Sequence, residues 1–221
     1  MKIFIKTFIA IGFGLVLHTP FVHASCQSSL LKGIQTNSRE VVEAAINCGA
    51  NVNGKDEEGF PMLHWAIVEK HNEIALVLLN KGANLEIRNS AKATSLHVAS
   101  VINNPVLAEE LIRRGADIAA TSIDGWTALH FTVAREATAI AELLLNKGAA
   151  IEAKNDLGET LLHMAADGER LTLLRLLLER GANVYAKTNQ GATPLDLAIK
   201  EGKRESVSIL RQHMKSIRAN E

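Results

Sequence analysis

The sequence predicts an all-α protein made of about six stacked copies of one short helical unit. A Gly-Ala dipeptide recurs at a constant interval of 33 residues, with its glycines at Gly49, Gly82, Gly115, Gly148 and Gly181. A leucine followed by a polar residue recurs in the same phase, at positions 63, 96, 129, 162 and 195. A fixed period of this length is typical of one supersecondary unit that is copied and stacked. Such arrays present extended binding surfaces more often than catalytic clefts.

The copy at 125–156 shows most clearly why each unit holds two helices. The Thr-Ala-Leu-His segment at 127–130 opens a short apolar helix, which ends near Glu136. In the second helix the apolar residues at 140–145 lie on one face, at the i, i+3, i+4 spacing. Lys147 complements the helix dipole in the last turn, and Gly148 supplies the left-handed residue that ends the helix. The same frame fits the other copies.

The first 24 residues are predicted to be a cleavable signal peptide. Basic residues precede an apolar run at 8–17, and Ala24 is the last residue expected to be removed. A retained membrane anchor is one alternative, but a span needs roughly 20 apolar residues and His18 interrupts the run. Lipid attachment at Cys26 is another, although His23 stands where that motif has an aliphatic residue. We expect export to the periplasm and no membrane insertion after cleavage.

The remaining 197 residues form one elongated domain in this prediction. It comprises an N-terminal capping unit at 25–54, four central units at 55–187, a C-terminal capping unit at 188–213 and a polar tail at 214–221. The capping units depart from the repeat pattern because terminal units lack one neighbour. Among the central units, the one at 89–121 is expected to have the least regular turn, since Lys92 occupies a place that glycine holds in the others.

Composition and cysteine content limit the partners and the compartment. The chain has 24 basic and 24 acidic residues, and removal of a segment with two lysines and no acid leaves a net charge of −2. Near-neutrality argues against nucleic acid as the main partner.

The two cysteines, Cys26 and Cys48, lie at the two ends of the first antiparallel helix pair. A disulfide between them suits an oxidising compartment, with two free thiols as the alternative.

The repeated motifs resemble those of the ankyrin repeat family over nearly all of residues 27–213. They are Thr-Pro-Leu at 193–195, Thr-Ala-Leu-His at 127–130 and the recurring Leu-Leu-x-x-Gly-Ala. The resemblance implies an ankyrin-repeat solenoid, with two antiparallel helices and a hairpin-like connecting loop in each unit. It also implies that another protein binds on the concave face, with no catalysis. We expect no cofactor, since metalloprotease, zinc, phosphate-loop and hydrolase motifs are missing from the sequence.

A row of histidines is interpreted as structural. It comprises His64, His97, His130 and His163, one in each central unit. Stacked helices lie about 8–10 Å apart, whereas zinc needs each imidazole nitrogen at about 2.0–2.1 Å, so one ion cannot bridge the row. By the resemblance, such histidines join the threonine of the turn to the neighbouring backbone. Metal or small-molecule binding through these histidines is the alternative.

The predicted binding residues lie at the places that contact partners in similar arrays. By the resemblance, these places are loop tips (57, 58 and 60 and their equivalents at intervals of 33, through 192) and inner-helix ends (68–69, 101–102, 134–135, 167–168 and 200–201). The predicted partner-binding residues are Phe60, Val68, Glu69, Val101, Ile102, Ile123, Trp126, Arg135, Leu157 and Glu159. Trp126 beside Arg135 is the first choice as an anchor, because both residue types are frequent in interface hot spots. The alternative is that Trp126 is half-buried packing, as expected for Trp65, Phe131 and Met164.

Together these features predict an exported module, monomeric when free, that binds another protein. Two roles remain open. One is an immunity-type inhibitor that covers a toxin or a secreted enzyme. The other is an accessory scaffold for an envelope enzyme with antioxidant activity.

Overall fold

A computed structural model describes the backbone of residues 19–219 and the side chains of residues 25–219. The expected cleavage site, the apolar run and the basic start of the signal peptide at 1–24 all lie outside the described side chains. The signal peptide therefore stays a prediction.

The described residues form twelve α-helices arranged as six antiparallel pairs. The helices are α1 (Thr19–Gln35), α2 (Arg39–Asn47), α3 (Met62–Val68), α4 (Asn72–Asn80), α5 (Ser95–Val101), α6 (Pro105–Arg113), α7 (Ala128–Arg135), α8 (Thr138–Asn146), α9 (Leu161–Asp167), α10 (Leu171–Glu179), α11 (Pro194–Lys200) and α12 (Arg204–Ala219). Odd-numbered helices pack on one another as an inner layer, and even-numbered helices form an outer layer. The all-α prediction and the six helical units are confirmed. The helix α12 includes most of the segment 214–221 that the sequence sets apart as a polar tail.

Five long loops connect the helix pairs. We call them fingers 1 to 5, at residues 50–60, 83–93, 116–126, 149–159 and 182–192. Fingers 1, 3 and 4 close at their bases with single antiparallel bridges, such as Lys55 to Pro61. The finger tips and the exposed ends of the inner helices together form what we call the concave face.

Threonine side chains begin most inner helices. Thr94, Thr127, Thr160 and Thr193 occupy the N-cap positions of α5, α7, α9 and α11. A hydroxyl at this position accepts a hydrogen bond from a backbone N–H that the helix leaves unpaired. At α11 the Thr193 hydroxyl accepts from the Asp196 N–H at 3.2 Å, and the Asp196 carboxylate accepts from the Thr193 N–H at 2.9 Å. Helix α3 differs, because Pro61 stands at its N-cap.

The short turn between the two helices of each pair requires a left-handed residue, but only the last pair supplies glycine. The left-handed residues of the six turns are Asn37, Lys70, Asn103, Glu136, Glu169 and Gly202, with φ between 52° and 69°. A residue with a Cβ adopts this region at a cost of roughly 1–2 kcal/mol, with Asn the least affected. The surrounding helices therefore impose this turn on Lys70, Glu136 and Glu169.

In fingers 1, 2 and 4 the turn depends on a side-chain oxygen that accepts two backbone N–H groups, whereas in finger 5 the Thr188 hydroxyl accepts one, from Ala192 at 3.2 Å. Asn89 Oδ1 accepts from the N–H of residues 91 and 93, both at 3.0 Å, and Asp56 and Asn155 do the same in fingers 1 and 4. The turn expected to be the least regular, in the unit at 89–121, keeps these two hydrogen bonds with Lys92 at φ 57°, but finger 2 lacks the bridge of fingers 1, 3 and 4. The turn at 122–126 differs in another way, since Asp124 takes φ 63° and the Ser122 hydroxyl donates to the Ile123 carbonyl at 3.1 Å.

One continuous hydrophobic core runs from Cys26 to Leu210. In each central unit an inner-helix leucine and an outer-helix leucine are buried in phase; they are Leu63, Leu96, Leu129 and Leu162, and Leu78, Leu111, Leu144 and Leu177. Each helix pair contacts mainly the pairs beside it, so the core has the one-dimensional character of a stacked array.

A disulfide fastens the first helix pair. Cys26 in α1 is joined to Cys48 at the end of α2, with a Cα–Cα distance of 5.9 Å. In the chain-entropy view, a bridge across a separation of 22 residues stabilises the fold by about 3 kcal/mol. It acts on a terminal unit, which has a neighbour on one side only.

Candidate functional site

The predicted partner-binding residues all lie on the concave face. Phe60, Ile123, Trp126, Leu157 and Glu159 belong to fingers, and Val68, Glu69, Val101, Ile102 and Arg135 belong to the C-terminal ends of α3, α5 and α7. Ile123 and Leu157 are 52% and 63% exposed, and Val68 is 37% exposed. Glu69 and Arg135 are exposed, and the remaining five are half-buried. The face thus carries large apolar side chains in water at its tips.

The aromatic residues of the fingers form two clusters that brace the inner helices. The Trp126 ring lies 5.1 Å from the Phe131 ring and 6.2 Å from the His130 ring, centroid to centroid. Trp126 is therefore at least partly a packing residue. Phe60 packs edge-on against Trp65 at 5.3 Å in the equivalent place of finger 1. Trp65, Phe131 and Met164, expected in the core, are half-buried.

The histidine row forms hydrogen bonds within the scaffold. The Nδ1 atoms of His97, His130 and His163 each accept the backbone N–H of the N-cap threonine at 3.1–3.2 Å, and the threonine hydroxyl lies at 2.8 Å. An Nδ1 that accepts carries no proton, so the hydrogen lies on Nε2. Nε2 of His97 bonds the Trp126 carbonyl at 3.1 Å, and Nε2 of His163 bonds the Ala192 carbonyl at 3.0 Å.

His64 departs from this arrangement. Pro61 replaces the N-cap threonine and has neither a hydroxyl nor an N–H, and both ring nitrogens of His64 are buried without a hydrogen-bond partner. Burial lowers the pKa of His64 and of His130 to about 4, and lowers the pKa of His97 and His163. The row is therefore neutral at physiological pH. Across residues 25–219, no group of three or more His, Cys, Asp or Glu is placed to hold a metal ion.

Three carboxylates lie near one another in the C-terminal half of the concave face. Asp167 ends α9, and its pKa is raised by burial and by the neighbouring carboxylates of Glu201 and Glu159. Glu159 is itself held by the Asn155 side-chain amide at 2.7 Å. Carboxylates from three successive segments therefore repel one another there, and the charges of Lys203 and Lys200 offset part of this repulsion.

An open pocket of about 490 Å³ lies at the N-terminal end of the face, between α1 and finger 1. Leu31, Met62 and Trp65 supply its apolar lining, and Asp56, Glu57 and Glu58 supply its acidic rim. The Trp65 indole N–H donates to Asp56 Oδ2 at 2.7 Å, which fixes the ring. The sequence does not suggest this pocket, because Trp65 directly follows a histidine of the buried row and is therefore expected in the core. We call it the N-terminal pocket.

Comparisons with known proteins agree with this geometry. The sequence matches the family description "Ankyrin repeats (3 copies)" over residues 15–89, 96–188 and 149–221, which together span most of the chain. The chain belongs to the ankyrin repeat family. Among curated proteins, no significant match is found. Among solved structures, this ankyrin array is similar to the crystal structure of the ankyrin repeat domain of Bcl-3, described as a unique member of the IkappaB protein family.

The similarity to Bcl-3 extends over most of both chains. The TM-score is 0.77 with 26% sequence identity, over 84% of this chain and 85% of the other. The family is a protein–protein interaction module, which is consistent with a protein partner for this array. In the described part of this ankyrin array, no helix is both long enough and apolar enough to cross a bilayer.

Proposed function

We propose that this ankyrin array binds a partner protein on its concave face and has no catalytic activity of its own. The observation that carries the proposal is the exposure of Ile123 and Leu157 at the tips of fingers 3 and 4. The equivalent leucines and histidines of each unit are buried and fixed by packing, whereas the tips differ from unit to unit. Exposed apolar side chains grouped on one face are typical of interaction sites.

We further propose that the protein acts in the periplasm. The signal-like segment at 1–24 supports export, and the disulfide between Cys26 and Cys48 is stable in an oxidising compartment. A lipid anchor on Cys26 is less compatible with this disulfide, because the anchor needs the same sulfur. Mass spectrometry of the processed protein separates the two, since only one of them leaves Ser25 at the N-terminus.

Capture of the partner tests the binding face. The tagged protein is used as bait in an envelope extract, together with the double variant Ile123→Asp/Leu157→Asp. A matched control, Val106→Asp, places the same charge on outer helix α6, where Val106 is 60% exposed. We expect the control to capture a stoichiometric partner as the parent does, and the double variant to lose it.

Two outcomes contradict the proposal. One is that the double variant folds normally by circular dichroism and still captures the partner. The other is that the control on the outer layer abolishes capture. The captured protein also separates the two roles, because a toxin or secreted enzyme indicates inhibition, whereas a resident envelope enzyme indicates scaffolding.

A further inference from the structure

The concave face differs in charge from the rest of the molecule. The 25 tip and inner-helix places include eight acidic residues, which are Glu57, Glu58, Glu69, Asp124, Asp156, Glu159, Asp167 and Glu201. They include two basic residues, Arg135 and Lys200. These 25 positions therefore sum to −6, and the exposed Lys92 at the tip of finger 2 offsets one of these charges, within a chain whose acidic and basic residues balance. A complementary partner presents a basic surface, because opposite potentials steer association and set specificity.

The N-terminal pocket combines this charge with an aromatic wall. Glu57 and Glu58 are exposed at its rim and take part in no ion pair among the described side chains. Lys55 also lines the pocket, with its Nζ donating to the Arg88 carbonyl at 2.7 Å, so one positive charge faces the three carboxylates of Asp56, Glu57 and Glu58. The Trp65 indole is held by Asp56 and lines the pocket. A cation over the face of tryptophan is the strongest of the cation–aromatic contacts.

We propose that the N-terminal pocket receives an arginine or lysine side chain from a basic segment of the partner protein, which stacks on Trp65 and pairs with Glu57 and Glu58. The alkyl part of such a side chain packs on Leu31 and Met62, and the charged end meets the rim. This proposal rests on the proposed function, because it names the chemistry of the protein that the concave face binds. It adds a specific anchor site that the exposed apolar tips do not supply.

The two tryptophans of the chain make the pocket directly observable. In a ¹⁵N–¹H spectrum of the purified protein, Trp65 and Trp126 give two indole signals, and Trp65→Phe assigns them. The probe is a short synthetic peptide of arginine, leucine and serine, compared with the same peptide carrying citrulline in place of each arginine. We expect the arginine peptide to shift the Trp65 signal in a saturable manner, and the neutral peptide to bind about fivefold or more weakly.

Matched variants assign the effect to the pocket. We expect Glu57→Gln/Glu58→Gln to weaken the arginine peptide about fivefold, and Glu142→Gln on outer helix α8 to leave it unchanged. The proposal is overturned if the citrulline peptide shifts Trp65 as strongly as the arginine peptide. It is also overturned if the double variant binds the arginine peptide like the parent.

The capture experiment and the peptide experiment can contradict the two proposals independently of each other. If the array captures a partner through Ile123 and Leu157 but Glu57→Gln/Glu58→Gln does not weaken that complex, the pocket proposal is wrong and the proposed function stands. If no partner depends on the concave face but the arginine peptide binds the pocket, the proposed function is wrong.

Discussion

One position shows how a single substitution disturbs a repeated hydrogen-bond pattern. In three central units the N-cap threonine supplies an N–H and a hydroxyl to the histidine three residues later. In α3 the corresponding residue is Pro61, and His64 keeps its burial but loses both partners. A buried polar group without a hydrogen bond costs about 1–3 kcal/mol. The protein therefore carries this cost on both ring nitrogens of His64, whereas His130 leaves only Nε2 unpaired and His97 and His163 leave neither.

Pro61→Thr should remove the part of that cost that falls on Nδ1 of His64, because the N-cap threonine of the other units pairs with Nδ1 only. The new N–H and hydroxyl lie where Thr94 and Thr127 place theirs, so we expect the free energy of unfolding to rise by about 1 kcal/mol. This expected gain already includes a loss of about 0.4–1 kcal/mol, because removing proline gives the unfolded chain more conformational freedom. Urea denaturation of parent and variant measures it. Repeating the pair in a His64→Leu background is the control, and an equal gain there would contradict the explanation.

Fewer polar bonds cross the third junction between adjacent helix pairs than cross the two junctions beside it. We call it the central junction; it joins α5, α6 and finger 3 to α7, α8 and finger 4. At the preceding junction Arg88 bonds the Thr121 carbonyl at 2.6 Å and Glu86 accepts the Asp117 N–H at 2.9 Å. At the following junction Lys154 and Glu152 make the same bonds to Lys187 and Asn183.

The equivalent residues of the central junction are too short or have the wrong charge for these bonds. Ala119 stands at the place of Glu86 and Thr121 at that of Arg88, and Arg113 replaces the Asn80 that accepts from Arg114 at 2.7 Å. Among the described residues, a single hydrogen bond crosses here, from the Asp156 N–H to the Asp124 carbonyl at 3.0 Å. The array is therefore held at its middle mainly by apolar packing.

Restoring the missing groups should stabilise the central junction. In Ala119→Glu/Thr121→Lys, the carboxylate reaches the Ala150 N–H and the ammonium reaches the Lys154 carbonyl. We expect a gain of about 0.5–1 kcal/mol per bond, measured by urea denaturation. Native-state hydrogen exchange should show slower exchange in α7 and α8. Glu152→Ala at the following junction is the matched reverse change, and it should lose a similar amount. No gain from the double variant would show that the fingers are too exposed for these bonds to count.

The sequence predicts the architecture of the whole molecule well, because the 33-residue period records it directly. Leucines in phase at 63, 96, 129 and 162 are all buried, and the cysteine pair is joined. It does not predict the turn at 122–126, where Asp124 takes φ 63° and the Ser122 hydroxyl donates to the Ile123 carbonyl. Nor does it predict the N-terminal pocket, which depends on how Trp65 lies between α1 and finger 1.

The four buried histidines make the stability of the entire array sensitive to acid. For His64 and His130 the folded pKa is about 4, whereas an unfolded histidine has a pKa of about 6.5. The unfolded chain therefore binds more protons between these values. The contribution of these two histidines to the free energy of unfolding is fully present above pH about 6.5 and is lost as the pH falls towards about 4. The carboxylate of Glu110, whose pKa Arg113 and Arg114 lower from 4.5 to about 2, adds its loss as the pH falls between those two values.

We expect the free energy of unfolding to fall by about 2 kcal/mol for each of His64 and His130 between pH 7 and pH 4.5. Because neighbouring units are coupled through their interfaces, the loss should appear in the transition of the array as a whole. Urea titrations at both pH values measure it. His64→Leu removes one titrating group and should flatten the profile by its share, whereas the exposed Lys81→Gln should not. If the parent protein is equally stable at both pH values, the four histidines bind protons as readily in the folded state as in the unfolded state, and the prediction is wrong.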